Sequence, residues 1–111
     1  MLLRLLLWSL ADSGTTVAEL RRWLRDDGVR SAEDAHGLLF SAWVSDEATD
    51  RWGAIELWET AAAGKRSLTE QAQTLIGKNA EVVESFDVEA TAEGQSAAEE
   101  IGRRGLAFDG G

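Results

Sequence analysis

The chain is expected to fold as an α+β unit, a four-stranded antiparallel sheet with two helices on one face, and three features of the sequence predict it. Four apolar segments, at residues 2–10, 37–45, 52–59 and 80–90, have strand character. Two others, at 15–28 and 67–77, open on a capping box and carry apolar residues at helical spacing. The order is therefore βαββαβ, and only the polar turn "DEATD" at 46–50 separates the two middle strands.

Each element has its own justification. "LLRLLLWSL" is Leu-rich and ends at the turn signal "ADSGT", as suits a strand buried on both faces. The start "MLLRLLLWSLADSG" superficially has the form of a signal sequence. Its apolar run is interrupted by Arg4, has almost no basic n-region and falls well below the roughly 20 residues that span a bilayer, so a core strand of a soluble, unprocessed chain is expected. In "TTVAELRRWLRDDG", Thr16 and Glu19 form the capping box, Val17, Leu20 and Leu24 share a face beside Trp23, and Gly28 is placed to end the helix. "GLLFSAWVS" and "WGAIELWE" form an antiparallel hairpin over residues 37–59. "TAAAGKR" is weakly helical and broken by Gly64, and reads as a loop or distorted turn. "SLTEQAQTLIG" is capped by Ser67 and Glu70, carries Leu68, Ala72, Leu75 and Ile76, and ends at Gly77. "AEVVESFDVEA" supplies the last strand, completing a ferredoxin-like arrangement over residues 1–92. The tail, 93–111, has a short helical pattern at 95–104, with Leu106 and Phe108 available to clasp a partner; a partly disordered terminus is the alternative.

Composition narrows the function. One domain of 111 residues leaves much apolar surface uncovered unless it pairs. The sheet face without helices would be a large apolar patch, so a homodimer through that face is expected. A net charge of −9 argues against nucleic acid and anionic membranes as partners, and favours a small neutral or aromatic ligand. The chain has no cysteine, which removes disulfides, thiol nucleophiles and thiolate metal sites and suits the cytoplasm. Its single histidine, His36, removes a histidine-rich metal site within one chain. Catalysis is left to carboxylates, aromatics, hydroxyls or an external cofactor.

The stretch "RWGAIELWE" at 51–59 raises the sharpest question, because alternation places Glu56 on one face with Trp52, Ala54 and Trp58. Two hairpin registers are open. One sets Phe40 opposite Glu56; a one-residue slip sets Ser41 opposite it, beside Trp43. In either, a buried Glu56 would have its pKa raised towards neutrality, as suits a general acid or base. The alternatives are a solvated carboxylate, one paired with Arg4 or Arg51, or one paired across a dimer interface. His36 could shuttle a proton at the hairpin's start. Trp23, Phe40, Ser41, Trp43, Trp52 and Trp58 are the candidate substrate contacts: the aromatics stack on a flat ligand, and Ser41 donates to a ligand oxygen. "DEATD" and the pair "EE" at 99–100 lack the spaced oxygens of a calcium loop, and no metal site is expected.

Taken together, "LLRLLLWSL", "GLLFSAWVSD", "RWGAIELWET" and "LIGKNAEVVESFDVEAT" resemble the YdhR-type monooxygenase-like proteins of the dimeric α+β barrel superfamily, alongside the antibiotic-biosynthesis monooxygenases. The likeness spans residues 2–92 and rests on order and spacing. It implies a homodimer with its sheets face to face and a pocket between sheet and helices in each protomer. It also implies a class in which several relatives oxidise or rearrange polycyclic aromatics without metal or flavin. Two positions depart from the pattern: Glu56 stands where an aromatic or aliphatic residue is usual, and His36 where a proline commonly precedes the glycine.

The expected function is cofactor-free monooxygenation of a polycyclic phenolic, polyketide-like substrate. Cyclisation or isomerisation of a similar compound, with Glu56 as acid or base, is the alternative within the enzyme class. A non-catalytic ligand-binding or accessory dimer is the alternative outside it. Haem degradation ranks lower, since His36 is the only imidazole.

Overall fold

The computed structural model describes residues 1–64, 69–97 and 102–109. Strands β1 (Leu2–Ser9), β2 (Leu38–Asp46), β3 (Arg51–Trp58) and β4 (Val82–Asp87) form one antiparallel sheet in the order β2-β3-β1-β4, the ferredoxin-like order. Helices α1 (Val17–Trp23), α2 (Val29–Glu33), α3 (Ala61–Gly64), α4 (Thr69–Ile76) and α5 (Leu106–Asp109) complete the described elements. Ser67 and Leu68 of the second helix pattern and positions 98–101 of the tail pattern lie outside the described residues.

The inner face of the sheet is fixed by the pairing of its two central strands. Trp8 lies opposite Trp52, Leu6 opposite Ala54 and Arg4 opposite Glu56. Period-two alternation therefore turns Leu6, Trp8, Trp52, Ala54 and Trp58 inwards together, and all five are buried. Val17, Leu20 and Leu24 close over them from the helical side, joined by Ala72 and Ile76 of α4. Leu75, read as part of that stripe, instead stands largely exposed, because only the i, i+4 pair Ala72 and Ile76 points at the sheet. Trp8 satisfies its indole N–H on the carbonyl of Lys78, at 3.0 Å.

Helix boundaries show one clear correction. Thr16 caps α1 by accepting the Glu19 N–H at 3.2 Å, as its sequence implies. Gly28 does not end the helix. The chain continues from α1 through a π-helical segment, Leu24–Gly28, directly into α2. Gly28 has ordinary helical φ and ψ there, and a Cβ on it would lie 3.0 Å from the Trp23 ring, so the glycine makes room for the indole. Gly77 does act as a stop: its φ is 89°, and its N–H donates to Gln73 at 2.7 Å. "TAAAGKR" likewise begins as a helical turn, Ala61–Gly64, rather than as a loop.

The hairpin adopts the slipped register. Leu38 faces Trp58, but Phe40 faces Leu57, so Leu39 is an extra residue and a bulge. Beyond it Ser41, Trp43 and Ser45 share the inner face with Glu56, Ala54 and Trp52, while Phe40, Ala42 and Val44 turn to the open face. There they join Leu3, Leu5, Leu7, Ile55, Leu57, Val82 and Phe86 in a mostly apolar face, interrupted by Glu84, on the side of the sheet away from the helix-packed core.

The tail folds back on its own chain. α5 packs against α1 and the π-helical segment, Ala107 is buried, and Arg103 holds Glu33 with a two-armed guanidinium–carboxylate pair at 2.9 and 2.6 Å. Phe108 packs on the same core, whereas Leu106 is exposed.

Gly53 tests the central pairing. A Cβ there would stand 2.6 Å from the carbonyl oxygen of Leu6 and 2.6 Å from Leu7 Cδ2, with Val44 at 3.2 Å. Gly53→Val should lower stability by about 1–3 kcal/mol, read as a shift of the urea midpoint at unchanged slope. An unshifted midpoint would show that β1 and β3 can separate locally at no cost.

Candidate functional site

A cleft of about 730 Å³ opens between β2, the helical segment running from α1 into α2, and the tail. The helices contribute Arg21, Leu24, Val29, Ala32 and Glu33, and the tail contributes residues 102–108. β2 and β3 supply Leu38, Ser41, Trp43, Ser45 and Trp52 from the inner face. Phe40 borders the cleft along the outer edge of β2, although the bulge has turned its side chain away from Trp52. The π-helical segment matters here, because its extra residue per turn re-aims the helix between Leu24 and Val29, both lining positions.

Behind this wall lies the buried carboxyl. Glu56 is 2% exposed and accepts a hydrogen bond from Trp58 Nε1 at 3.1 Å. Its cross-strand neighbours on the inner face are Arg4 on β1 and Ser41 on β2. Burial pushes its pKa above the ordinary glutamate value, against the opposing pull of the Trp58 hydrogen bond and the Arg4 charge. Among the described residues Arg4 forms no ion pair with it, and Arg51 is engaged with Asp46 at 3.4 Å. The solvated alternative for Glu56 and its pairing with Arg51 are both removed.

The candidate residues thus divide into two groups. Ser41, Trp43, Trp52 and the backbone edge at Phe40 meet at the cleft, and Ser41 is the position that adjoins both the cleft and Glu56. Trp58 sits with Glu56 outside the lining. Trp23 borders a separate shallow groove with Asp27, Glu70 and Thr74. His36 is exposed in the turn before β2, next to Gly37 at φ 85°, and does not line the cleft. Two of the three turn carboxylates, Glu47 and Asp46, pair with Arg21 and Arg51, and among the described residues no acidic or histidine cluster could hold a metal ion.

Sequence reasoning did not select Arg21, Ser45 or the tail. Arg21 had a signal, since it follows Leu20 directly and so flanks the apolar stripe of α1 on a helical wheel. The tail had none, because its seat is set by packing against α1 and by the Arg103–Glu33 pair.

No family model and no curated protein matches the chain. Solved structures do. A Deinococcus radiodurans protein provisionally assigned as an antibiotic biosynthesis monooxygenase superposes with a TM-score of 0.54 and 15% identity, covering 83% of this chain and 96% of that one. A point mutant of SnoaB, a cofactor-independent oxygenase from Streptomyces nogalater, superposes with a TM-score of 0.57 and 11% identity, covering 81% and 94%. At these identities the likeness establishes the fold that this chain shares with antibiotic-biosynthesis-monooxygenase-like proteins. Among the described residues no helix is long and apolar enough to cross a membrane.

The buried carboxyl makes stability depend on pH with a definite sign. Because the folded pKa of Glu56 is raised above 4.5, the native state holds its proton over a range where the unfolded chain has lost it. Stability from this group is therefore present below the unfolded value and is lost as pH rises through the folded one. Glu56→Gln should remove that loss, so its thermal midpoint relative to the parent should climb between about pH 4 and pH 8. A constant difference across that range would show that Glu56 titrates as it does in the unfolded chain.

Proposed function

We propose that the protein is a small homodimeric enzyme that oxygenates a polycyclic phenolic, polyketide-like substrate without a cofactor. The observation that carries this reading is the position of Ser41, at the cleft on one side and directly across a strand pair from the buried Glu56 on the other. Opposed side chains on neighbouring strands have Cβ atoms about 4.5–5.5 Å apart, within reach of a proton relay through one hydroxyl. The likeness to a cofactor-independent oxygenase supports the class of reaction, through fold only.

The chemistry follows from the residues. A flat substrate lies against Trp43 and Trp52, and the acidic C–H or O–H of its phenolic ring system gives a proton to Ser41 Oγ, whose own proton passes to Glu56. Burial makes the ionised Glu56 carboxylate a stronger base than an exposed one, which favours its taking up that proton. The electron-rich anion then reduces dioxygen: one oxygen atom enters the ring carbon as a carbonyl, two substrate hydrogens leave, and the second oxygen departs as water. Four electrons pass from the substrate to one dioxygen molecule, so no external reductant is needed.

The open sheet face supports the homodimer. Phe40, Val44 and Phe86 are each more than a third exposed on it, among leucines and Ile55, which is the kind of patch that a second copy covers. Ile55→Lys, at the centre of that face, should convert a dimer into a monomer in sedimentation velocity. A monomeric parent protein would remove the dimer from the proposal.

A second reading, cyclisation or isomerisation, draws on the same raised carboxyl and needs no oxygen. Product masses from anthrones and naphthols incubated in air and under nitrogen separate the two. Gain of one oxygen and loss of two hydrogens, in air only, is the expected result, with Glu56→Gln slowing turnover at least tenfold and flattening its pH profile. An isomer or dehydrated product formed under nitrogen would replace oxygenation by cyclisation. Binding without conversion would assign the fold to ligand holding.

A further inference from the structure

One row of the inner sheet face is polar across all four strands. Ser41, Glu56, Arg4 and Ser85 stand side by side, each opposite the next. The row on one side of it is built of Trp43, Ala54, Leu6 and Val83. The row on the other runs through Leu38, Trp58 and Leu2 to the exposed Asp87 on β4. Glu56 is therefore flanked by a hydroxyl on the cleft side and by a guanidinium on the other. Both flanking residues have a buried atom with no partner, Ser41 Oγ and Arg4 Nε.

The two flanking groups differ in what they can do. A hydroxyl donates or accepts, and a carboxyl sheds its charge by taking a proton, but a guanidinium stays charged and its N–H groups only donate. A buried donor without an acceptor is costly, so the Arg4 Nε–H calls for one. On its own strand Arg4 has Leu2 and Leu6 two residues away on the same face, and directly across lie Glu56 and Ser85. Ser85 is exposed, whereas Glu56 is 2% exposed. Opposed side chains have Cβ atoms about 4.5–5.5 Å apart, so a long arginine side chain reaches that carboxyl. Trp58 Nε1 occupies Glu56 Oε1 at 3.1 Å, which leaves Oε2 for a second donor. α3 lies against both β1 and β3, and its three alanines and Gly64 bring no competing charge.

We propose that Arg4 is a positioning residue for the base: when Glu56 ionises, Arg4 Nε donates to Oε2, and the carboxylate is held between Trp58 and Arg4 with its remaining lone pairs left for Ser41. The inference rests on Glu56 being the base of the proposed reaction and adds what holds it in its ionised form. Burial favours the protonated carboxyl, and a positive charge opposite it works the other way. Proton uptake through Ser41 then releases Arg4, so the pair forms and parts once in each turnover.

Nuclear magnetic resonance reads this without turnover. Carboxyl-labelled glutamate reports the ionisation of Glu56, assigned by the signal lost in Glu56→Gln. Nitrogen-labelled arginine reports the Arg4 Nε–H, assigned by the signal lost in Arg4→Lys. In the parent protein both signals should move at one shared midpoint, and the Arg4 signal should not move in Glu56→Gln. Arg4→Gln should raise the Glu56 midpoint by about one pH unit, and Arg4→Lys should recover at least about half of that shift. Asp87→Asn should leave both midpoints unchanged. An Arg4 signal that ignores the Glu56 midpoint, one that follows Asp87 instead, or a Glu56 that never ionises in the folded protein would each overturn the inference, as would an unmoved Glu56 midpoint in Arg4→Gln. The parent measurement decides the matter even if Arg4→Gln does not fold. With a turned-over substrate, the acid limb of the kcat profile should move up in Arg4→Gln by the same interval, with KM within twofold; a KM change without that move would make Arg4 merely structural. A shared midpoint in a protein that gives no oxygen-dependent product would sink the oxygenase and leave the pair standing.

Discussion

The structure depends on the pairing of β1 with β3. With Trp8 opposite Trp52 and Arg4 opposite Glu56, a single register commits two tryptophans to the core and a carboxyl to burial. A slip by one residue would turn every side chain of either strand to the other face, exposing the indoles and emptying the layer on which the helices pack. Gly53 enforces the closeness of that pairing from the open side, where Leu7 covers the space a side chain would need. The helices, the bulged hairpin and the tail are all fitted to the surface this pair presents.

The cleft and the carboxyl are two consequences of that surface. β2 joins the central pair as an edge strand, and its bulge at Leu39 lets Leu38 and Ser41 both face inwards. Without the extra residue, Phe40 would lie opposite Glu56 and seal it with an aromatic ring. With it, Ser41 occupies that place and borders a cleft of about 730 Å³. The π-helical segment across the cleft is the matching irregularity on the other wall, and Gly28 lets Trp23 fold against it. Two local departures from regular geometry thus shape the same site.

Much of the fold was legible. Periodicity located the strands, the Thr16–Glu19 box located the first helix start, and the polar "DEATD" turn located the hairpin. Those signals are local, carried by a few residues whose backbone preferences agree with the final structure. The end of the first helix was not legible, because Gly28 is a stop signal in isolation and a packing necessity under the Trp23 ring. Of the candidate contacts, Phe40, Ser41, Trp43 and Trp52 border the cleft, while Trp23, His36 and Trp58 lie elsewhere, placed by packing that residue type does not encode.

By itself, then, the sequence determined the α+β class, the strand order along the chain, the shared face of Trp52, Glu56 and Trp58, and a net charge of −9. These follow from side-chain alternation, helical spacing and charge, which are properties of short stretches. Only the tertiary structure decided that Glu56 is buried, that Ser41 is its neighbour, and that Arg21 and the tail border the same cleft. The reason is physical: burial and register are set by what packs from distant parts of the chain, and one extra residue at a bulge reverses the face of every side chain beyond it.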